Sequence, residues 1–397
     1  MRYSRDFVPR SLFLLPAVFL PVQVSLAAVD SFRPYAFAQV LYDSNIYRVS
    51  GDFEDQESDT VGHLGAGLNA DWKLSRQHLL LDAVVDRAKY DAQGELDHTR
   101  LDGRATWAWE VGNLWNGDLG YHYNKELSSF DEQLVPEKDM RTTHSGFWSA
   151  GYQIHPDWKL IAGLQYDDAS YQKRDFLDRK TSTGKLEVQY RNTRSTYVGL
   201  RTEYAKNDLR DLDIAPGVSI NNDYNQTTIS GVFYWQGTDK SALEANLGYT
   251  DVKYDELNDR DFQGSTGRLT YHWAATGKTN LDLAIWRETS SLYDEITTYV
   301  LQKGVSIRPT WSATPKITVT GDVSYTNDDF KGRNDLASVV GAQRRDDDTW
   351  FYGLGATWQP RDYVQVSLNY RRETRDSSID VVDYNDDQVD ARVQLTF

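Results

Sequence analysis

The sequence predicts an all-β fold, a transmembrane antiparallel up-and-down β-barrel of about 18 strands, and three observations predict it. The chain closes on a strictly alternating stretch, Gln388 to Phe397, whose last residue is aromatic. Its connections alternate between very short turns and longer acidic loops along the whole chain. Its 25 Tyr and 12 Trp are the two residues that suit a membrane interface, with an apolar ring and a polar handle.

In the closing stretch, Val389, Ala391, Val393, Leu395 and Phe397 share one face, and Gln388, Asp390, Arg392, Gln394 and Thr396 the other. A period of two puts apolar and charged residues on opposite sides of a strand. A soluble sandwich allows this too, so the rest of the chain decides.

At the other end, Arg2, Arg5 and Arg10 precede an apolar run from Ser11 to Val24, and Ser25, Leu26 and Ala27 offer a small-x-small cleavage site. This predicts a signal peptide over residues 1–27 and a barrel over 28–397. A spanning helix is disfavoured by Pro16, Pro21 and a run shorter than the ~20 apolar residues required. Loss of the leader removes three Arg and one Asp, so the net charge moves from −16 to −18. Such acidity argues against nucleic acid as a partner. With no Cys, there is neither a disulfide framework nor thiolate chemistry. Mean hydropathy is −0.63, a value that reads as soluble. Strands apolar on one face only average to that same value.

The alternation recurs. Leu64 to Trp72, Leu101 to Trp109, Leu186 to Tyr190, Ile317 to Tyr325 and Val364 to Tyr370 each place apolar and polar residues on opposite faces. Tight turns are expected near Ser75–Gln77, Gly112–Asn113, His155–Asp157, Asn192–Thr193, Gly237–Lys240, Thr276–Lys278, Ala313–Pro315 and Pro360–Asp362. Longer segments lie at 49–58, 92–97, 129–141, 172–180, 208–223, 256–261, 292–296, 330–346 and 376–383. Eight short and nine long connections join about 18 strands and leave both ends on the short-turn, periplasmic side. Paired soluble sandwiches would not require this sustained alternation.

Motifs of catalysis are absent: no G-x-S-x-G, H-E-x-x-H or P-loop occurs. The seven His show no metal spacing, and His63, His122 and His272 fall on polar strand faces. Acidic runs at 52–59, 327–335 and 383–387 lack the ordered ligands of a calcium loop and read as solvated loops. The chain is therefore expected to be no enzyme and to need no cofactor or metal.

With the apolar faces outward, the inward set includes Asp102, Arg104, Glu110, Lys185, Glu187 and Arg191. Arg201, Arg268, Arg308, Asp322, Arg371 and Arg392 complete the expected pore lining. Two roles fit this mixture of signs: pairing across strands that stiffens the wall, or a polar track for hydroxyl-rich solute.

Near the start of the predicted barrel, Tyr42, Asp43, Ser44, Asn45, Ile46, Tyr47 and Arg48 follow Pro34–Leu41. This opening resembles the first strand of the EpsL-like outer-membrane β-barrel proteins encoded with exopolysaccharide operons, in the "putative β-barrel porin 2" class. The resemblance implies a channel in the outer membrane of a Gram-negative bacterium that exports a polysaccharide, embedded in lipid and lipopolysaccharide. It implies as partners a periplasmic polysaccharide-export protein and an inner-membrane polymerase. It carries over no catalytic residue. Within the motif, Asp43, Asn45 and Arg48 are expected to pin the outer end of the first strand.

Two other classes share this pattern. A general or substrate-selective uptake porin would fold one long loop inward as a constriction, for which 208–223 with Pro216-Gly217 is the candidate. An outer-membrane hydrolase would need a Ser–His pair at the outer rim.

Overall fold

The computed structural model describes residues 31–397 except 53–54, 132, 134–135, 194–195, 216–217, 291–298 and 332–344. The predicted leader, Pro216-Gly217, the loop at 292–296 and most of that at 330–346 lie outside the described residues.

The first half of the wall is β1 (Ser31–Asp43), β2 (Asp59–Leu74), β3 (Gln77–Tyr90), β4 (His98–Val111), β5 (Trp115–Leu127) and β6 (Met140–His155). It continues with β7 (Trp158–Tyr171), β8 (Arg179–Thr193) and β9 (Thr196–Leu209). A separate small hairpin, β10 (Leu212–Ala215) and β11 (Val218–Ile220), interrupts it. The second half is β12 (Tyr224–Thr238), β13 (Ser241–Tyr254), β14 (Phe262–Trp273), β15 (Thr279–Ser290) and β16 (Tyr299–Thr314). It ends with β17 (Ile317–Lys331), β18 (Asp346–Arg361), β19 (Val364–Ser377) and β20 (Tyr384–Thr396).

Each wall strand pairs antiparallel with its neighbours, and β1 pairs with β20, so the 18-stranded sheet closes. Closure satisfies every strand edge, which a wall in hydrocarbon requires. The predicted phase is the observed one. Leu64, Leu101, Leu186 and Leu368 are exposed on the outer surface, and the charged alternates point inward.

Outward Trp and Tyr mark the two rims. Trp72, Trp115, Trp158, Trp235, Trp273 and Trp358 stand near the short turns, whereas Tyr42, Tyr121, Tyr166, Tyr204, Tyr249 and Tyr370 lie toward the long loops. From Trp158 to Tyr166 the strand advances ~26 Å. At a tilt of ~40° this is ~20 Å along the bilayer normal, and the rings supply the rest of a ~25 Å apolar band. The short turns are built locally: Ser75 (φ 58°) and Gly112 (φ 61°) take the left-handed conformation that a two- or three-residue hairpin needs.

At the loop rim one turn recurs. After β3, β7 and β13, an Asp seven residues beyond a Tyr accepts that residue's backbone N–H: Asp97 from Tyr90 (2.8 Å), Asp178 from Tyr171 (2.7 Å) and Asp261 from Tyr254 (2.9 Å). Each pair brackets one 3-10 turn, at Gly94–Leu96, Asp175–Leu177 and Asn258–Arg260. A shortened version holds Asp380–Val382, where Asp383 accepts from Ser377 at 2.7 Å. The carboxylate satisfies a backbone donor that has no ladder partner at the strand end.

Candidate functional site

One continuous cavity of about 1070 Å³ runs through the lumen, from Ile46 and Phe130 at the loop end to Asn116 and Lys159 near the short turns. Its walls differ in chemistry. From β20 through β9 lie most of the charged side chains that border the cavity. Where β12, β13 and β14 border the cavity its lining is mostly hydroxyl and amide, with Thr250 hydrogen-bonded to Thr228 (2.9 Å) and Thr266 (2.7 Å).

The twelve residues expected to line the pore all lie on inward strand faces. Asp102, Arg104, Lys185, Glu187, Arg201, Arg371 and Arg392 border the main cavity; Glu110, Arg191, Arg268, Arg308 and Asp322 share the inner face outside its lining. Many are paired within the wall. Arg201 meets Glu187 at 2.7 Å, Arg268 meets Glu288 at 2.7 Å, Arg308 meets Asp322 at 2.7 Å, and Arg371 meets Asp390 at 3.6 Å. The inward histidines join in: His63 lies 2.9 Å from Asp86, His122 2.9 Å from Asp102 and His272 2.6 Å from Asp282. Cross-strand pairing of opposite charges stiffens a wide wall and fixes its register.

Among the described residues, a long connection reaches the lumen cavity. Residues 208–223 carry the β10–β11 hairpin, which pairs with itself. The segment between β5 and β6 turns inward, with Ser128 to Asp131 bordering the cavity. Phe130 is 6% exposed in an apolar cluster with Ile46, Val61, Ala88, Tyr90 and Leu96. The Asp131 carbonyl accepts a 2.7 Å hydrogen bond from Arg375 of β19, with five wall strands lying between β19 and β5. Lys138 donates to the Asp97 carbonyl at 2.6 Å, and buried Asp139 holds Arg174 at 3.0 Å. Phe130 offers an apolar ring to the cluster, which holds its segment against the wall. Tyr47 packs edge-on to Phe130 at 5.1 Å and donates to Glu95 at 3.0 Å. Burial, then that hydrogen bond, pushes its phenol above the ordinary value and keeps it a donor at neutral pH.

The Tyr42–Arg48 stretch builds the barrel seam. Tyr42 faces outward. Asp43 accepts from Gln388 at 2.8 Å and pairs with Arg48 at 3.3 Å, while Arg48 also reaches Asp386 at 3.0 Å. Asn45 donates to the Asn385 carbonyl at 3.1 Å and braces its own loop through Val49. The backbone N–H of Asp387 donates to the Ser44 hydroxyl at 2.7 Å. Arg48, with φ 57°, curls the loop back so that its guanidinium can bridge the two carboxylates.

Among the described residues, no group of three or more His, Asp or Glu is disposed to hold a metal ion. At the loop rim, His98 bonds the Leu96 carbonyl at 2.9 Å.

A closed barrel with an apolar outer band, aromatic rims and a polar, traversed lumen is a porin-like channel of the Gram-negative outer membrane. The chain belongs to the family described as "Putative beta-barrel porin 2", whose model matches residues 31–397. Among solved structures it is similar to Pseudomonas aeruginosa OccK2 (OpdF), at 13% identity and TM-score 0.52, covering 93% of this chain and 98% of that one. A BenF-like porin from Pseudomonas fluorescens Pf-5 is also similar, at 11% identity and TM-score 0.51, covering 92% and 98%. These likenesses concern the fold. No curated protein matches the chain.

Proposed function

We propose that this protein is a substrate-selective diffusion channel for small polar solutes. The observation that carries the reading is the strap formed by Phe130 and Asp131, which leaves β5, enters the lumen and is tied to Arg375 on β19. A strap across the mouth leaves a bounded cavity suited to single small molecules, whereas a polymer in transit needs an unobstructed bore. The family's description as a porin supports the same direction.

Export of an exopolysaccharide rests on the likeness at Tyr42–Arg48. Asp43, Asn45 and Arg48 of that motif are engaged in closing the seam, a structural role that does not itself point to a polymer. The test is swelling of proteoliposomes carrying the purified protein. Monosaccharides should enter quickly and dextran should not. A deletion strain that makes polymer precursors, lacks surface polysaccharide and takes up small sugars normally would restore the export reading.

A further inference from the structure

In the neutral sector of the lumen, three strands leave a shallow notch with an unpaired hydroxyl at its foot. Gly248 of β13 faces inward at its centre, opposite Ser230 of β12 and Thr266 of β14. Thr250 lies on the same face toward the long loops, and Asn246 toward the short turns. All five border the cavity. Close packing requires glycine at the centre: a Cβ on Gly248 would lie 2.4 Å from the Ile229 carbonyl oxygen and 2.6 Å from the Ser230 Cβ.

The polar atoms around the notch are unequally satisfied. Thr250 is hydrogen-bonded to Thr228 at 2.9 Å and to Thr266 at 2.7 Å, so those hydroxyls form a row of their own. Ser230 is 3% exposed and its Oγ makes no hydrogen bond. Asn246 Oδ1 is likewise buried without a partner, so these two side chains do not bond each other. A buried polar atom left unmade is costly. The residues opposite Asn246 do not relieve it. Val232 is apolar, and Arg268 is committed to Glu288 at 3.2 and 2.7 Å and lies over the Trp286 ring at 4.8 Å.

We propose that Ser230, Asn246 and the hydroxyl row around Gly248 form a binding subsite for a neutral polyhydroxylated solute, of which a sugar alcohol is the simplest case. This rests on the small-solute reading and names the class of solute. One solute hydroxyl can donate to Asn246 Oδ1 and accept from the Ser230 O–H, which satisfies both orphaned atoms at once. Its carbon then lies over Gly248, where no side chain intervenes, and the next hydroxyl along meets Thr228 or Thr266. An anion would meet an Arg268 already neutralised by Glu288, and an ether oxygen, which only accepts, would leave Asn246 Oδ1 unmade.

The probes are xylitol, with a hydroxyl on every carbon, and triethylene glycol, a chain of similar mass whose inner oxygens only accept. With wild-type protein, entry of xylitol into proteoliposomes should saturate with concentration, and entry of the glycol should rise linearly. Ser230→Val and Asn246→Leu should each raise the half-saturating xylitol concentration about fivefold, the loss of one hydrogen bond. Heat-modifiable migration shows that each variant is folded, and Ser230→Val breaks no hydrogen bond of its Oγ within the protein. Linear xylitol entry with wild-type protein, or unchanged saturation in the two folded variants, overturns the subsite and leaves the small-solute channel standing. If neither probe enters, the small-solute channel falls instead, and equilibrium dialysis of labelled xylitol against the detergent-solubilised protein decides the subsite. Binding weakened in both variants supports it; wild-type binding that is absent, or equal in the variants, overturns it.

Discussion

Arg48 Nη2 lies 3.0 Å from Asp386 Oδ2, joining the loop after the first strand to the last strand of the barrel. The same guanidinium pairs with Asp43, and both carboxylates are buried. Arg48→Ala would leave two buried carboxylates facing each other with their shared cation gone. Breaking a buried pair in this way costs ~3–5 kcal/mol. The temperature at which the folded gel band converts to the unfolded one should fall markedly, with Arg48→Lys between the two. An unchanged conversion temperature would mean that backbone pairing alone holds the seam.

The lipid face gives a second expectation. Leu368 is 56% exposed on the outer wall, and Asn369 beside it points inward and donates to Asp390 at 3.0 Å. Leu368→Arg should impair assembly, because a cation near the bilayer midplane costs ~2–4 kcal/mol. Asn369→Arg places its charge beside a carboxylate in a wet lumen and should assemble. Equal yields of heat-modifiable protein from both variants would show that the strand phase does not govern insertion.

The strap predicts a conductance change. Phe130→Ala removes the ring that anchors the inward segment to Ile46, Val61 and Leu96. Single-channel conductance should rise, and larger neutral sugars should enter proteoliposomes faster. Wild-type conductance in this variant would place the narrowest point elsewhere in the lumen.

Two glycines, on β2 and β4, should respond differently. A Cβ at Gly65 would meet the Phe37 ring and lie 2.8 Å from the Val85 carbonyl oxygen, whereas one at Gly103 has nothing within 4 Å. Gly65→Ala should therefore lower the conversion temperature by displacing Phe37 and the Arg392 above it. Gly103→Ala adds a methyl to open lipid-facing surface and should be neutral.

Period-two alternation made the strands legible, because a lipid wall and a wet lumen impose opposite demands on successive residues, as at Leu368 and Asn369. Connection lengths gave strand number and the side of the termini. The seam was half legible: Asp43, Asn45 and Arg48 stood out, but their partners Asn385, Asp386 and Gln388 lie at the far end of the chain. Which loop folds inward was not legible, since it depends on Phe130 meeting residues from three other segments. Tyr35 and Phe37 look like any inward aromatics until Gly65 and Gly67 are seen opposite them. One signal was present and missed. Tyr90, Tyr171 and Tyr254 are each followed seven residues later by an Asp, a spacing that marks the loop-rim turn.

The seam also changes what counts as an end of this molecule. Thr396 lies opposite Tyr35, and the Phe397 N–H donates to the Pro34 carbonyl at 2.8 Å, so the two outermost strands meet at the same rim as the short turns. Linking 397 to 31 by a few flexible residues and opening the chain at the exposed Gly237–Lys240 turn would preserve every wall pairing. The order of strands around the ring is cyclic, and a circularly permuted chain starting at β13 describes the same channel.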